Sequence, residues 1–144
     1  MKTTALLFAL LLTGIFACKD DVEKGCDANF LEAEVNNVLW QPPSVTAFNS
    51  GPGGNLTIQA KADYGQVREI IIQMPSAVDV GDYPLQTGLF TQSIIVAPGA
   101  FQAEIGQLTI SEHDKNAKVI RGTFYFSIPS ENLEVLNGSF CAKY

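Results

Sequence analysis

The chain has 144 residues, which is enough for one domain of ordinary size and too few for two substantial domains. Hydrophobic residues make up 47% and charged residues 17%, so the composition is that of a folded domain rather than a disordered tail. The net charge of −6 disfavours a nucleic-acid-binding protein, because such a protein needs clustered cations to displace counterions from phosphates.

The first segment predicts export from the cytoplasm. Lys2 precedes a nearly continuous apolar stretch at residues 5–17, which is shorter than the roughly 20 residues of a membrane span and typical of a signal peptide. The stretch ends in Ile15-Phe16-Ala17-Cys18, which resembles the lipobox of bacterial lipoproteins. In a lipobox the cysteine receives a diacylglycerol and the chain is cleaved just before it. We therefore predict a lipid on Cys18. Ordinary cleavage, with Cys18 as an incidental thiol, is the alternative.

The residues after Cys18 bear on where the mature protein is located. Lys19-Asp20-Asp21 resembles the export signal that sends lipoproteins of Bacteroidota to the cell surface. The alternative is a solvated tether on a protein that faces the periplasm, since charged residues are common in linkers. We predict a signal peptide at 1–17, a tether at 18–27 and one domain at 28–144. The domain is expected at the outer membrane, held there by its lipid.

The predicted domain has the pattern of β-strands. Apolar and polar residues alternate with period two at 56–63, 107–111 and 120–128. Ile70-Ile71-Ile72 breaks the alternation, which predicts a strand covered on both faces. We expect four prolines at strand ends, because a missing N–H does no harm there. They are Pro42, Pro75, Pro84 and Pro129. The sequence predicts an all-β fold: a single antiparallel sandwich or barrel of about eight to ten strands. Periodicity leaves that choice open.

Two further cysteines remain after Cys18. Cys26 precedes the first predicted strand and Cys141 lies in the last one. Outside the cytoplasm such thiols tend to pair, so we predict a disulfide that joins the two ends of the domain. Two separate reduced cysteines are the alternative.

Three short motifs carry a family resemblance. They are the segment from Phe30 to Trp40, the segment Gly81-Asp82-Tyr83-Pro84-Leu85, and Arg121 to Phe126 followed by Asn137 to Phe140. They resemble motifs of a family of small Bacteroidota lipoproteins whose domain has no known function. In the first motif Asn37 replaces the usual glycine, and asparagine also tolerates a left-handed backbone. The resemblance implies an envelope location and marks turns and core positions. It brings no catalytic residue.

Candidate catalytic groups are few. His113 is the only histidine, and it sits between Ser111-Glu112 and Asp114-Lys115 in what we interpret as a solvated hairpin tip. Asp79, Asp82 and Glu104 are candidates for a paired-carboxylate site or for calcium ligands. Their spacing is common in plain turns, and the chain lacks the ligand set of a zinc site. We therefore predict no enzyme activity, no metal and no cofactor.

Aromatic residues offer the remaining candidates for binding. Trp40, Tyr64, Tyr83 and Phe90 are candidates for a platform that binds a sugar or a peptide, although Trp40 is more typical of a core anchor. The leading hypothesis is a non-catalytic module that binds a protein or glycan at the envelope. The alternatives are a lipocalin-like carrier of a small apolar ligand and an inhibitor of a hydrolase. A cavity lined by Phe124, Phe126 and Ile128 would favour the carrier, whereas a filled core with an exposed aromatic patch would favour the module.

Overall fold

A computed structural model describes residues 26–86 and 93–144. The predicted signal peptide, Cys18 and Lys19-Asp20-Asp21 lie outside the described residues. Eleven strands form two antiparallel sheets that pack as a sandwich, so the all-β prediction is confirmed and the closed barrel is excluded. The strand number exceeds the predicted one, because strands of two or three residues carry no periodic pattern. No helix in the described part of the chain is long and apolar enough to cross a bilayer.

The larger sheet has six strands in the order β2-β1-β11-β10-β9-β6. Its strands are β1 Phe30–Val35, β2 Val38–Trp40, β6 Gly81–Gln86, β9 Ile105–Asp114, β10 Val119–Ile128 and β11 Leu133–Lys143. A short 3-10 helix, Pro129–Glu131, connects β10 to β11. The edges of this sheet are β2 on one side and β6 on the other.

The smaller sheet has five strands in the order β3-β4-β5-β7-β8. Its strands are β3 Ser44–Asn49, β4 Asn55–Lys61, β5 Glu69–Pro75, β7 Ser93–Ala97 and β8 Phe101–Gln102. The chain passes from edge strand β2 of the larger sheet directly to edge strand β3 of the smaller one. The two sheets are therefore joined along one side of the sandwich.

The core lies between the sheets and is built from the alternating strands. In β4 the residues Leu56, Ile58 and Ala60 are buried, and in β10 every second residue from Ile120 to Ile128 is buried. These are the faces that the period-two pattern predicts. One residue departs from it, because Thr57, predicted on the solvent face of β4, is also buried. The two largest fully buried side chains are Phe126 and Phe140. Together with the other buried residues they form one apolar cluster, which favours a single domain.

The prediction for Ile70-Ile71-Ile72 is wrong in one respect. Ile70 and Ile72 are fully buried, but Ile71 is only half-buried on the outer face of the sheet. Ile71 is flanked there by Gln59 of β4 and Ile95 of β7. A β-branched residue suits this partly covered position in a central strand, so three apolar residues in a row do not require a second buried face.

Two residues that the sequence places at a strand end or in a turn motif, Pro84 and Asn137, lie inside strands. Pro84 is in the middle of β6 rather than at a strand end, which is tolerated because β6 is an edge strand and a missing N–H there faces the open side. Asn137 has a φ of 50° inside β11, where the pairing with β10 shifts register. It therefore marks a β-bulge.

The residue after this bulge must be glycine, because a Cβ at Gly138 would lie 2.5 Å from the Phe124 ring.

The predicted disulfide between Cys26 and Cys141 is present. The two Cα atoms are 5.7 Å apart, within the ordinary range for a disulfide. Because Cys141 is in β11 and pairs with Phe30 of β1, the bond fixes the residues that precede β1 to the last strand. It closes a loop of 115 residues, which is almost the whole domain.

The disulfide also defines one of the two ends of the sandwich. The disulfide end contains Cys26, the turn between β9 and β10, the loop between β3 and β4, and the C-terminal Tyr144. The opposite end, the groove end, contains the β1–β2 turn, the loop at residues 62–68 and the 3-10 helix. Strand β10 runs from one end to the other, and its ten residues span about 30 Å.

Replacing both Cys26 and Cys141 by serine should lower the free energy of unfolding by about 2–5 kcal/mol, because a long closed loop restricts the unfolded chain. The all-β circular dichroism spectrum should be unchanged, since the core comes from the strands. Chemical denaturation of the chain from residue 19 measures the loss. Equal stability of the oxidised wild type and the double variant would contradict this expectation.

Candidate functional site

The candidate site begins with a tight hairpin. Strands β1 and β2 are joined by Asn36 and Asn37, whose φ angles of 47° and 63° are both in the left-handed region. Two such residues in succession are typical of the two-residue turn that matches the twist of a hairpin. The expectation that Asn37 can replace the usual glycine is confirmed. The turn brings Val38, Leu39 and Trp40 back alongside β1.

Asn36 ties this turn to two other parts of the groove end. Its side-chain amide donates to Oε1 of Gln66 at 2.9 Å and to the carbonyl of Asn132 at 3.3 Å. Its Oδ1 accepts from the backbone N–H of Glu134 at 2.8 Å. One side chain therefore fixes the position of the hairpin relative to the 62–68 loop and to the start of β11.

Trp40 forms the floor of the site. Only 3% of its surface is exposed, so the prediction of a core anchor is confirmed. The indole N–H donates to the backbone carbonyl of Val67 at 2.9 Å, and this bond is buried. It connects a strand of the larger sheet to the loop that leads into β5 of the smaller sheet. Val35 and Val67, which are also buried, lie beside the indole in the same groove.

Above this floor the groove is apolar and open. It has a volume of about 220 Å³ and lies between the β1–β2 hairpin and residues 64–67. Three large side chains at its rim are unusually exposed: Val38 by 68%, Leu39 by 60% and Tyr64 by 52%. The Tyr64 hydroxyl donates to the backbone carbonyl of Gln41, which holds the ring beside β2. We call these side chains and the Trp40 floor the Trp40 groove.

The structure brings together two of the aromatic residues predicted for binding. Trp40 and Tyr64 both line the groove. Tyr83 is on β6, at the opposite edge of the larger sheet, where it packs partly buried against the core and donates from its hydroxyl to the carbonyl of Asp79 at 2.8 Å. Phe90 lies outside the described residues. A single platform of these aromatic residues is therefore not formed.

Sequence reasoning did not single out Val38 and Leu39 as site residues. A signal was present, because three consecutive apolar residues directly after a two-residue turn cannot all face the core. Since successive side chains of a strand point to opposite faces, Leu39 must face away when Trp40 is buried. Val38 shares the inward face with Trp40 but lies too close to the end of the hairpin to be covered.

His113 differs from its predicted setting. It lies in β9 and is half-buried, whereas the turn itself is formed by the four residues that follow Asp114. Its Nδ1 is 2.7 Å from the carbonyl oxygen of Val78 and its Nε2 is 2.8 Å from the Tyr144 hydroxyl. A carbonyl oxygen only accepts, so Nδ1 donates to Val78, and Nε2 shares a hydrogen bond with the Tyr144 hydroxyl. Burial raises the pKa of Tyr144; Lys115 lowers it and Asp114 raises it further.

The three candidate carboxylates do not form a site. Asp79 pairs with Lys115 at 3.0 Å, and Asp82 accepts from the Thr109 hydroxyl at 2.7 Å. Glu104 accepts from Ser130 at the groove end, about 17 Å along β9 from the residue opposite Asp82. In the part of the chain that the structure describes, no three histidine, cysteine or acidic residues are grouped to hold a metal ion.

The residues proposed to line a ligand cavity fill the core instead. Phe124, Phe126 and Ile128 are each no more than 2% exposed and belong to the apolar cluster. The rings of Phe124 and Phe126 stack with their centroids 6.2 Å apart. Phe124 also lies against Gly138 of the neighbouring strand. The interior surface of β10 is therefore packed by its own neighbours, and the Trp40 groove is an exposed apolar surface outside this core.

Comparison with known proteins gives a family match and no close relative. Residues 27–142 match the model of a domain of unknown function, DUF6252. The search of curated proteins and the search of solved structures found no match. The match covers the sandwich except for the last residue of β11.

Replacing Asn36 by glycine should lower the free energy of unfolding by about 1–3 kcal/mol, because glycine keeps the left-handed backbone but removes three hydrogen bonds. The matched control is Asn37→Gly, which keeps the same type of turn and should leave stability unchanged or slightly higher. Thermal unfolding measures both variants. Equal effects would show that the Asn36 side chain does not hold the hairpin in place.

Proposed function

The chain belongs to the DUF6252 family, a domain of unknown function, and we propose that this protein is a lipid-anchored, non-catalytic module of the bacterial outer membrane that binds a partner through the Trp40 groove. The observation that carries the binding role is the exposure of Val38, Leu39 and Tyr64 around a buried tryptophan. A contiguous apolar patch with a rigid aromatic floor is typical of a surface that binds another molecule.

The position of the anchor supports this role. A lipid on Cys18 would be separated from Cys26 by seven residues, which limits the tether to at most about 30 Å. Because Cys26 is bonded to Cys141, the tether joins the domain at the disulfide end. The Trp40 groove is at the other end of the sandwich. In this arrangement the disulfide end is nearer the membrane and the groove is directed away from it.

Two observations favour binding over catalysis or carriage. Both ring nitrogens of His113 are occupied by hydrogen bonds to Val78 and Tyr144, so this residue is not placed as a general base for a nearby nucleophile. The Trp40 groove, at about 220 Å³, is smaller than the roughly 300–1,000 Å³ of pockets that enclose a small molecule. Larger clefts of the described residues, such as one of about 610 Å³ beside His113, are open to solvent and do not enclose a ligand. The Trp40 groove matches a side chain that a partner inserts.

The anchor is tested by replacing Cys18 with alanine. Cells labelled with an alkyne fatty acid should incorporate the label into the wild type and not into the Cys18→Ala variant, because the cysteine sulfur is the attachment point. The variant should also leave the membrane fraction. Replacement of Lys19-Asp20-Asp21 by alanines is the matched control, since it should keep the lipid while reducing protease accessibility on intact cells. Equal labelling of wild type and Cys18→Ala would exclude the anchor.

The binding role is tested by affinity capture with three forms of the immobilised chain from residue 19. Wild type should retain at least one protein from envelope extracts that the Leu39→Ser variant does not retain. Phe48→Ser is the control, because Phe48 is 52% exposed but lies on edge strand β3, outside the groove. Both substitutions are at exposed positions and should change stability by less than about 0.5 kcal/mol. Identical sets of retained proteins for wild type and Leu39→Ser would overturn the proposed role.

A further inference from the structure

The Trp40 groove is bordered by an open strand edge. Strand β2 has three residues and lies at the edge of the larger sheet. In a hairpin with a two-residue turn, the residues that flank the turn exchange both backbone hydrogen bonds, and the next pair exchanges none. Val38 is paired with Val35, and Leu39 is paired with Glu34. The N–H and C=O of Leu39 therefore point away from β1, toward the open side.

This edge lacks the protection found at the other edge of the same sheet. Natural edge strands are commonly blocked by short length, by proline, by lysine or by a bulge. Strand β6 carries Pro84 in its middle. Strand β2 is short and Pro42 follows one residue after it, which limits pairing to a short segment, but its own residues Val38, Leu39 and Trp40 include no proline or lysine. A strand edge with a free donor and acceptor beside an apolar groove matches the way in which some proteins add an extended peptide to a sheet.

Charge is distributed unevenly between the two ends of the sandwich. At the disulfide end four acidic residues are balanced by four cations: Asp27, Asp79, Glu112 and Asp114 against Lys115, Lys118, Arg121 and Lys143. At the groove end six acidic residues face two cations: Glu34, Asp63, Glu69, Glu104, Glu131 and Glu134 against Lys61 and Arg68. Glu32 and Asp82, which pair with Ser139 and Thr109 near the middle of the larger sheet, belong to neither end. Of the net charge of −6 on the described residues (twelve acidic against six basic), −4 therefore lies at the groove end, −2 lies between the ends and none remains at the disulfide end.

Three of these carboxylates lie next to the groove. Glu34 is opposite Leu39, Asp63 precedes Tyr64, and the backbone N–H of Glu134 binds Asn36. Lys61 is 3.4 Å from Glu69 in an ion pair, and Arg68 is exposed next to Val67. Within the described residues, Glu34, Asp63 and Glu134 take part in none of the three ion pairs. Their charge therefore favours a cationic partner.

We propose that the partner of the Trp40 groove is an extended protein segment that pairs with the backbone of Leu39, inserts an apolar side chain over Trp40 and presents lysine or arginine to Glu34 and Asp63. This inference rests on the proposed binding role and names the class of partner. Backbone pairing supplies the direction of the segment, the groove selects one apolar side chain, and the acidic rim selects for positive charge.

The test uses defined peptides and the chain from residue 19. A fluorescent seven-residue peptide that alternates lysine with leucine should bind at least about tenfold more tightly than its glutamate–leucine counterpart, a difference of about 1.4 kcal/mol. Raising the salt concentration from about 20 mM to about 200 mM should reduce this preference, because exposed charges are screened. Equal binding of the two peptides would overturn the charge selection.

Variants of the chain locate the binding site. Leu39→Ser should weaken binding of the lysine peptide about tenfold, and Glu34→Gln should weaken it severalfold while reducing the salt dependence. Phe48→Ser, on edge strand β3, should bind as wild type. Loss of binding in Phe48→Ser with normal binding in Leu39→Ser would assign the peptide to β3 and overturn the proposal. Circular dichroism checks that each variant is folded.

Backbone pairing is tested by methylating the peptide rather than the protein. Two peptides of the same sequence are prepared, one N-methylated on its odd-numbered residues and the other on its even-numbered residues. In a strand pair only every second residue of the peptide donates its N–H to β2. The peptide that is methylated on those residues should therefore lose binding, and the other should keep it. Equal affinity of both would exclude strand addition. If the lysine peptide does not bind but envelope capture still requires Leu39, the class of partner is wrong and the proposed function stands.

Discussion

The buried hydrogen bond from the Trp40 indole to the Val67 carbonyl joins an edge strand of the larger sheet to the loop that enters a central strand of the smaller sheet. Strand β2 belongs to the larger sheet, and Val67 leads into the central part of the smaller one. An indole N–H in an apolar interior needs a partner, since an unsatisfied donor costs about 1–3 kcal/mol. The bond therefore fixes the distance between the hairpin and the 62–68 loop, and the space left above the ring becomes the groove.

The two ends of the sandwich have different physical roles. The disulfide end is covalently closed, electrically balanced, and carries a hydrogen-bonded cluster of His113, Val78 and Tyr144. The groove end is held by noncovalent contacts, chiefly those of Asn36, and keeps apolar side chains in solvent. The covalent restraint thus lies at the disulfide end. The exposed apolar groove lies about 30 Å away along β10.

Local patterns predicted much of the fold, because a strand with one wet face must alternate. The pattern fixed the buried face of β4 and β10, and the cysteine count gave the disulfide. The alternating pattern could not predict features that depend on where a strand lies in its sheet. Pro84 is tolerated inside β6 only because β6 is an edge strand, and Ile71 is half-exposed although its neighbours are buried. His113 is held by Val78 and Tyr144, which are 35 and 31 residues away in sequence.

For the same reason, the sequence predicted only part of the candidate site. Trp40 and Tyr64 are separated by 24 positions, and the hairpin and loop that bring them together belong to different sheets. What makes the site a groove is the exposure of Val38 and Leu39, which depends on β2 having no neighbour on its open side. An open apolar edge of this kind favours self-association. The acidic residues around it oppose that outcome, because two groove ends that approach each other repel. The negative charge that favours a cationic segment therefore also opposes pairing between two copies of this edge.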